Sequence, residues 1–149
     1  MKVLILNGAN LNVLGAREKE HYGSSTLREI KNLTTRLIKE NNLKVDVTWK
    51  QSNLEGEIVN FIQDAIGKYE AIVINPGGYS HTSVSILDAL KVYDGIVAEV
   101  HLSRVTNRPE SFRKNLITAQ AADILLEGLV DLSYFIGVLS VFKKFNLRG

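Results

Sequence analysis

The chain has 149 residues, 45% hydrophobic and 23% charged, which suits a single soluble globular domain, 1–149, large enough to bury a real core. A formal charge of +2 without basic tracts argues against nucleic acid as a partner, the lack of cysteine excludes disulfides and thiolate chemistry, and three scattered histidines give little support to zinc. No apolar run reaches membrane-spanning length and the first residues lack the order of a signal peptide, so the expected compartment is the cytoplasm, with no membrane partner.

Lys2–Asn7 reads as a buried strand, and the small and amide residues of Gly8–Gly15 follow its carboxyl end. The charged, aperiodic segment Ala16–Ser25, bounded by Gly15 and Gly23, is expected to be a mobile lid. Leu27, Ile30, Leu33 and Leu37 recur at helical spacing, predicting a helix from Thr26 to Glu40 with Ser24 or Ser25 as its cap. Val45, Val47 and Trp49 alternate with polar residues in a second strand over Lys44–Lys50. Ile58, Phe61, Ile62 and Ala65 then mark a helix over Leu54–Gly67.

The stretch Ala71–Leu90 organises the rest. A β-branched apolar run is broken by Asn75-Pro76-Gly77-Gly78, and Ser80 or Thr82 is placed to cap the following helix, whose first turn suits an oxygen-rich ligand. Ile86, Leu87 and Leu90 share one side of that helix; His81, Ser85 and Asp88 share the other, so Asp88 is expected to point away from its own core. Gly95–Val100 is a fourth strand ending in His101-Leu102-Ser103-Arg104, and Thr106–Asn115 a surface loop or short helix. Ile124–Gly128 reads as a fifth strand, although Ala119–Asp123 is equally compatible with a helix start. Leu132–Phe145 is apolar nearly all round, which predicts a helix buried in the fold or against another subunit. The alternation of strands and helices implies an α/β fold: a flavodoxin-like three-layer sandwich around a five-stranded parallel sheet.

Strand ends and lid together bring Asn10, Asn12, Arg17, Tyr22, Asn75, His81, His101, Ser103 and Arg113 toward one edge of the sheet, where open α/β sheets bind ligands. The Gly8–Gly15 loop lacks P-loop and GxGxxG spacing, and there is no GxSxG elbow. What remains is acid–base chemistry. A phenol ionises near neutrality only with a cation beside it, and Arg17 lies five residues before Tyr22. Asn10 is then suited to stabilising an enolate and His101 to protonating a departing hydroxyl. Structural alternatives stand beside these roles: Tyr22 as a lid-anchoring aromatic, His101 as a satisfied histidine, His81 as a helix cap, Asp88 as a surface charge. A flavodoxin-like binding protein holding a nucleotide or flavin phosphate at Asn75–Ser83 is the alternative function.

Asn7-Gly-Ala-Asn-Leu-Asn-Val-Leu-Gly15, Arg17-Glu18, Tyr22-Gly23, Gln51–Gly56, Asn75–Ser83 and Glu99–Ser103 resemble the type II 3-dehydroquinate dehydratases. The resemblance implies dehydration of 3-dehydroquinate to 3-dehydroshikimate in the shikimate pathway, with neither metal nor organic cofactor. It implies Tyr22 as base, Arg17 as the group that helps ionise it, Asn10 as the anchor of a water at the enolate, and His101 as proton donor. Asn75, His81 and Arg113 match residues that hold substrate hydroxyls, and the backbone of Leu102 and Ser103 matches a carboxylate-binding turn. The residue matching Asp88 reaches a neighbouring subunit's site, in a homo-oligomer of trimers assembled into dodecamers. Three departures stand out: Ala9 where the family has proline, Val130 where it has glycine, and one extra residue between Arg108 and Arg113, which leaves both arginines as candidates for the substrate-binding position.

Overall fold

The structure, a computed structural model, describes residues 1–16 and 23–149. The strands β1 (Lys2–Asn7), β2 (Asp46–Gln51), β3 (Ala71–Asn75), β4 (Ile96–His101) and β5 (Ile124–Glu127) form one parallel sheet in the order β2-β1-β3-β4-β5. Helices α1 (Leu27–Glu40), α2 (Glu55–Ala65), α3 (Val84–Val92) and α4 (Ser133–Arg148) cover both faces. This is the expected flavodoxin-like arrangement, and its strand order reverses between β1 and β3.

Side chains alternate across β1. Val3 and Ile5 enter one apolar cluster with Ile30 of α1 and Tyr134, Val138 and Val141 of α4; Leu4 and Leu6 enter another with Ile58 and Ile62 of α2 and Ile86 and Leu90 of α3. Burying each such side chain stabilises the fold by about 1.5–3 kcal/mol. The unbroken apolar runs of β1 and β3 follow from cover on both faces, whereas β2, at the sheet edge, keeps only partly buried residues after its exposed Asp46. Helix α4 lies unusually close to the sheet: a Cβ on Gly137 would sit 2.8 Å from Val73 Cγ1 and 3.1 Å from Val100 Cγ1.

The helix starts correct the expected caps. Thr26, rather than Ser24 or Ser25, caps α1, because its hydroxyl accepts from Glu29 N at 3.2 Å while the Glu29 carboxylate accepts from Thr26 N at 2.7 Å, a reciprocal box fixed by the three-residue spacing. Ser83, rather than Ser80 or Thr82, caps α3 by accepting from Ile86 N at 3.0 Å. Gly77–His81 forms a 3-10 turn before it, so His81 stands off the helix. The span 119–123 does not start an α-helix: Thr118–Ala121 is a 3-10 turn and β5 follows. Of the last helix, Tyr134, Gly137, Val138 and Val141 are buried, while Phe145 is 39% exposed on the single chain. No helix among the described residues is long and apolar enough to cross a membrane.

Candidate active site

At the order reversal the ends of β1 and β3 lie side by side, and Gly8 N donates to Asn75 O at 2.8 Å. The loops that leave them interlock. A Cβ on Gly8 would meet Pro76 O at 2.2 Å, and one on Gly77, which has φ +63°, would meet Ala9 O at 2.6 Å, so glycine is required on both sides. Asn10 takes a left-handed conformation with φ 69°, and its N–H donates to Asn53 Oδ1 at 2.9 Å. Gln51 Nε2 donates to the same oxygen at 3.1 Å, which ties the amides after β2 to the loop after β1.

The end of β4 is built differently. Glu99 and His101 are two residues apart and so share a sheet face, and both are buried, with Glu99 at 0% and His101 at 3% exposure. His101 Nε2 donates to Glu99 Oε1 at 2.7 Å, and Thr118 Oγ1 donates to Glu99 Oε2 at 2.7 Å. Both carboxylate oxygens are thus engaged. The contact fixes the His101 ring and leaves Nδ1 over for chemistry. Ser103 follows, and its hydroxyl accepts from Arg108 Nη2 at 2.9 Å.

Between these walls lies a cavity of about 150 Å³ lined by Asn10, Asn75, His81, His101, Leu102, Ser103 and Arg113, together with Ser80 and the glycines of the β3 turn. His81 Nδ1 donates to Asn115 O at 2.9 Å. Burial holds its pKa below the ordinary 6.5, against the opposing pull of that hydrogen bond, so the neutral ring leaves Nε2 as an acceptor. Phe112 contacts both His81 and Arg113, its ring edge-on to the imidazole with centroids 5.9 Å apart and its centroid 5.1 Å from the guanidinium carbon. Ser80 Oγ and Arg113 Nε are buried without a hydrogen-bond partner among the described residues, so the cavity wall holds polar capacity for a polar ligand. A broader depression of about 690 Å³ opens at the amino ends of the strands, around Glu70, Asp94, Phe145 and Arg148. Its size does not make it the better candidate, because the convergent polar groups are at the other end of the sheet.

The sequence model of the family described as dehydroquinase class II matches residues 1–142. The chain belongs to this family. It is 44% identical over 146 residues to the 3-dehydroquinate dehydratase of Bartonella henselae, covering 98% of this chain and 97% of that one. To the 3-dehydroquinate dehydratase of Helicobacter acinonychis it is 41% identical over 153 residues, covering 98% and 90%. Among solved structures, the type II dehydroquinase of Butyrivibrio crossotus superposes with a TM-score of 0.88 at 38% identity, covering 95% of this chain and 97% of that one.

For a class II dehydroquinase, the positions picked from the sequence divide into three groups. Asn10, Asn75, His81, His101, Leu102, Ser103 and Arg113 converge on one cavity. Asp88 is exposed on α3 and outside it, in keeping with its helical spacing. Arg17 and Tyr22, with most of the expected lid, lie outside the described residues. Of the two candidate arginines, Arg113 lines the cavity, whereas Arg108 is 7% exposed and sits behind Ser103. Glu99, Thr118 and Ser80 were not picked as site residues. The signal for Glu99 was present, since a carboxylate inside the apolar strand Ile96–Val100 needs a buried partner, and His101 is the nearest on its face.

Proposed function

We propose that the chain is a hydro-lyase that dehydrates 3-dehydroquinate to 3-dehydroshikimate, in the shikimate route to aromatic compounds, through an enolate. Family membership supports the reaction, and one observation carries the mechanism: His101 stands at the cavity with Nε2 tied to a fully buried carboxylate. Tyr22, ionised beside Arg17, takes the proton next to the substrate carbonyl. Electrons move to the carbonyl oxygen, and the enolate is met by a water held at Asn10. The enolate then collapses, the carbon–oxygen bond to the departing hydroxyl breaks, and His101 supplies the proton that makes it water. Asn75, His81 and Arg113 hold substrate hydroxyls, and the backbone at Leu102 and Ser103 receives the carboxylate.

The working unit we propose is a single catalytic domain, 1–149, in a cytoplasmic homo-oligomer of trimers assembled into dodecamers. Asp88 is then the residue offered to a neighbouring subunit; it is exposed on α3 between Val84 and Val92, themselves 56% and 70% exposed, an apolar stripe suited to a subunit contact. The test is the absorbance of the conjugated enone when 3-dehydroquinate is added to chelator-treated protein, before and after a treatment with borohydride in the presence of substrate followed by removal of both. A rise is expected. No rise from folded protein rejects the reading, and a rise lost only after borohydride points to a Schiff-base lysine instead.

A further inference from the structure

A buried polar chain runs under the neutral side of the cavity. Asn7, the last residue of β1, donates from Nδ2 to the Lys50 carbonyl at 3.3 Å, which turns its Oδ1 toward α4. The hydroxyl of Tyr134 donates to that Oδ1. Its only proton committed, the hydroxyl accepts from Asn75 Nδ2 at 3.2 Å. Asn75 is thereby set with Oδ1 toward Gly77 N, from which it accepts at 3.1 Å. The chain starts on a backbone carbonyl of β2 and ends on a backbone N–H after β3, two groups of fixed polarity, and a single direction of hydrogen bonding satisfies every member. Asn7, Asn75 and Tyr134 are 1%, 4% and 0% exposed, so solvent offers no substitute partner.

We infer that Tyr134 is a positioning residue for the dehydration, acting through Asn75: it holds that amide in the one orientation that presents a fixed N–H and a fixed lone pair to a substrate hydroxyl. The inference rests on the proposed role of Asn75 at the substrate. Two features serve it. Gly137 of α4, one turn after Tyr134, lets the helix approach β3 and β4 closely enough for the phenol to reach both asparagines, and Trp49 of β2 packs against the Tyr134 ring with the ring centroids 5.2 Å apart. Burial also raises the Tyr134 phenol above its ordinary range, so it stays a neutral donor.

Steady-state kinetics on 3-dehydroquinate with the full chain test this through four proteins: the parent, Tyr134→Phe, Asn75→Ala and the double variant. Asn75→Ala is expected to raise KM about 10-fold or more, Tyr134→Phe to raise it about 3–10-fold with a smaller fall in kcat, and Tyr134→Phe to add nothing in the Asn75→Ala background. The same KM factor in both backgrounds overturns the inference, because Tyr134 then acts independently of Asn75. So does an unchanged KM in Tyr134→Phe accompanied only by a lower Tm, which is a purely structural role. An unchanged KM in Asn75→Ala removes the substrate role of Asn75 itself and the inference with it, an outcome distinct from the other two. If Tyr134→Phe does not fold, Asn7→Ser takes its place in the same cycle. It frees the tyrosine proton to turn toward Asn75 and flip the amide, and the same KM rise, absent without Asn75, is expected; a rise that persists without Asn75, or none, overturns the inference.

Discussion

The wall at the ends of β1 and β3 is neutral and is held by close backbone contacts and an uncharged amide–phenol hydrogen-bond chain, whereas the wall at the end of β4 is ionisable and is held by a buried carboxylate. On the first, Gly8 and Gly77 leave no room for side chains, Asn10 is bent into a left-handed conformation, and Asn75 is oriented by groups that do not titrate near neutrality. On the second, a carboxylate with no solvent exposure holds a histidine. The difference separates two tasks. Orienting a polyhydroxylated substrate asks for donors and acceptors that do not move or change charge. Moving a proton asks for a group that does change charge, and its counter-charge must be fixed in advance so that no reorganisation is needed during the reaction.

If the division holds, damage to the ionisable wall appears in kcat and damage to the neutral wall in KM or stability. The largest effect is expected from His101→Ala, a fall in kcat of about 10²–10⁴-fold, the usual contribution of a general acid. Steady-state enone absorbance with a circular dichroism check on folding measures it, and a kcat within about threefold of the parent removes His101 from the proton transfer. Glu99→Gln keeps the shape of the pair and deletes its charge. A hydrogen bond to a charged group contributes about 1.5–3 kcal/mol, so kcat is expected to drop by about 10–100-fold with little change in KM. A rise in KM instead would mean that Glu99 shapes the pocket rather than supporting the acid.

The neutral wall is probed by Gly8→Ala. The new Cβ would lie 2.2 Å from Pro76 O and 2.6 Å from Pro76 C, both backbone, so the β1 and β3 loops must separate and the 2.8 Å bond from Gly8 N to Asn75 O must stretch. Overpacking of this kind costs about 1–3 kcal/mol, read as a lower urea midpoint at unchanged slope. KM is expected to rise with it while kcat falls less. Unaltered stability would show that the two loops are free to part, and the contrast between a rigid and an ionisable wall would fail.

Much of this was legible because the sequence codes for it locally. Apolar runs bounded by Gly, Pro and Asn located β1 and β3, helical spacing placed Ile30 and Ile58 in the core and Asp88 outside it, and the polar residues after each strand converged as α/β topology requires. What was not legible depends on contacts between distant segments. Thr118 meets Glu99 across 19 residues, Tyr134 meets Asn7 across 127, and no periodicity within either segment carries that information. The cap of α1 was misplaced for a smaller reason: Ser24, Ser25 and Thr26 are chemically equivalent, and Glu29, three residues after Thr26, decides among them. The stretch Leu132–Phe145 reads as apolar nearly all round because its buried side is joined by exposed apolar residues such as Leu132 and Phe145.

The smallest effect, and the one opposite in sign, is expected beside the ionisable wall. Val130 has φ +47°, where a β-branched residue is strained and glycine would not be. Its N–H donates to Leu102 O at 2.9 Å, next to His101, so the strained residue secures the turn at the end of β4. Replacement by glycine keeps that N–H and removes strain of about 1–3 kcal/mol, offset by about 0.4–1 kcal/mol from the freer unfolded chain. Val130→Gly is therefore expected to be more stable by about 1 kcal/mol, raising Tm by about 2–4 °C. One contact opposes this. A Cβ on Gly23 would sit 3.2 Å from Val130 Cγ1, so the valine side chain is packed against the backbone at Gly23. A Tm that falls means this packing outweighs the strain. A Tm that rises with kcat reduced means the strained turn at Val130, bonded to Leu102 O, supports His101 at a cost in stability, so the ionisable wall would depend on backbone geometry as the neutral one does.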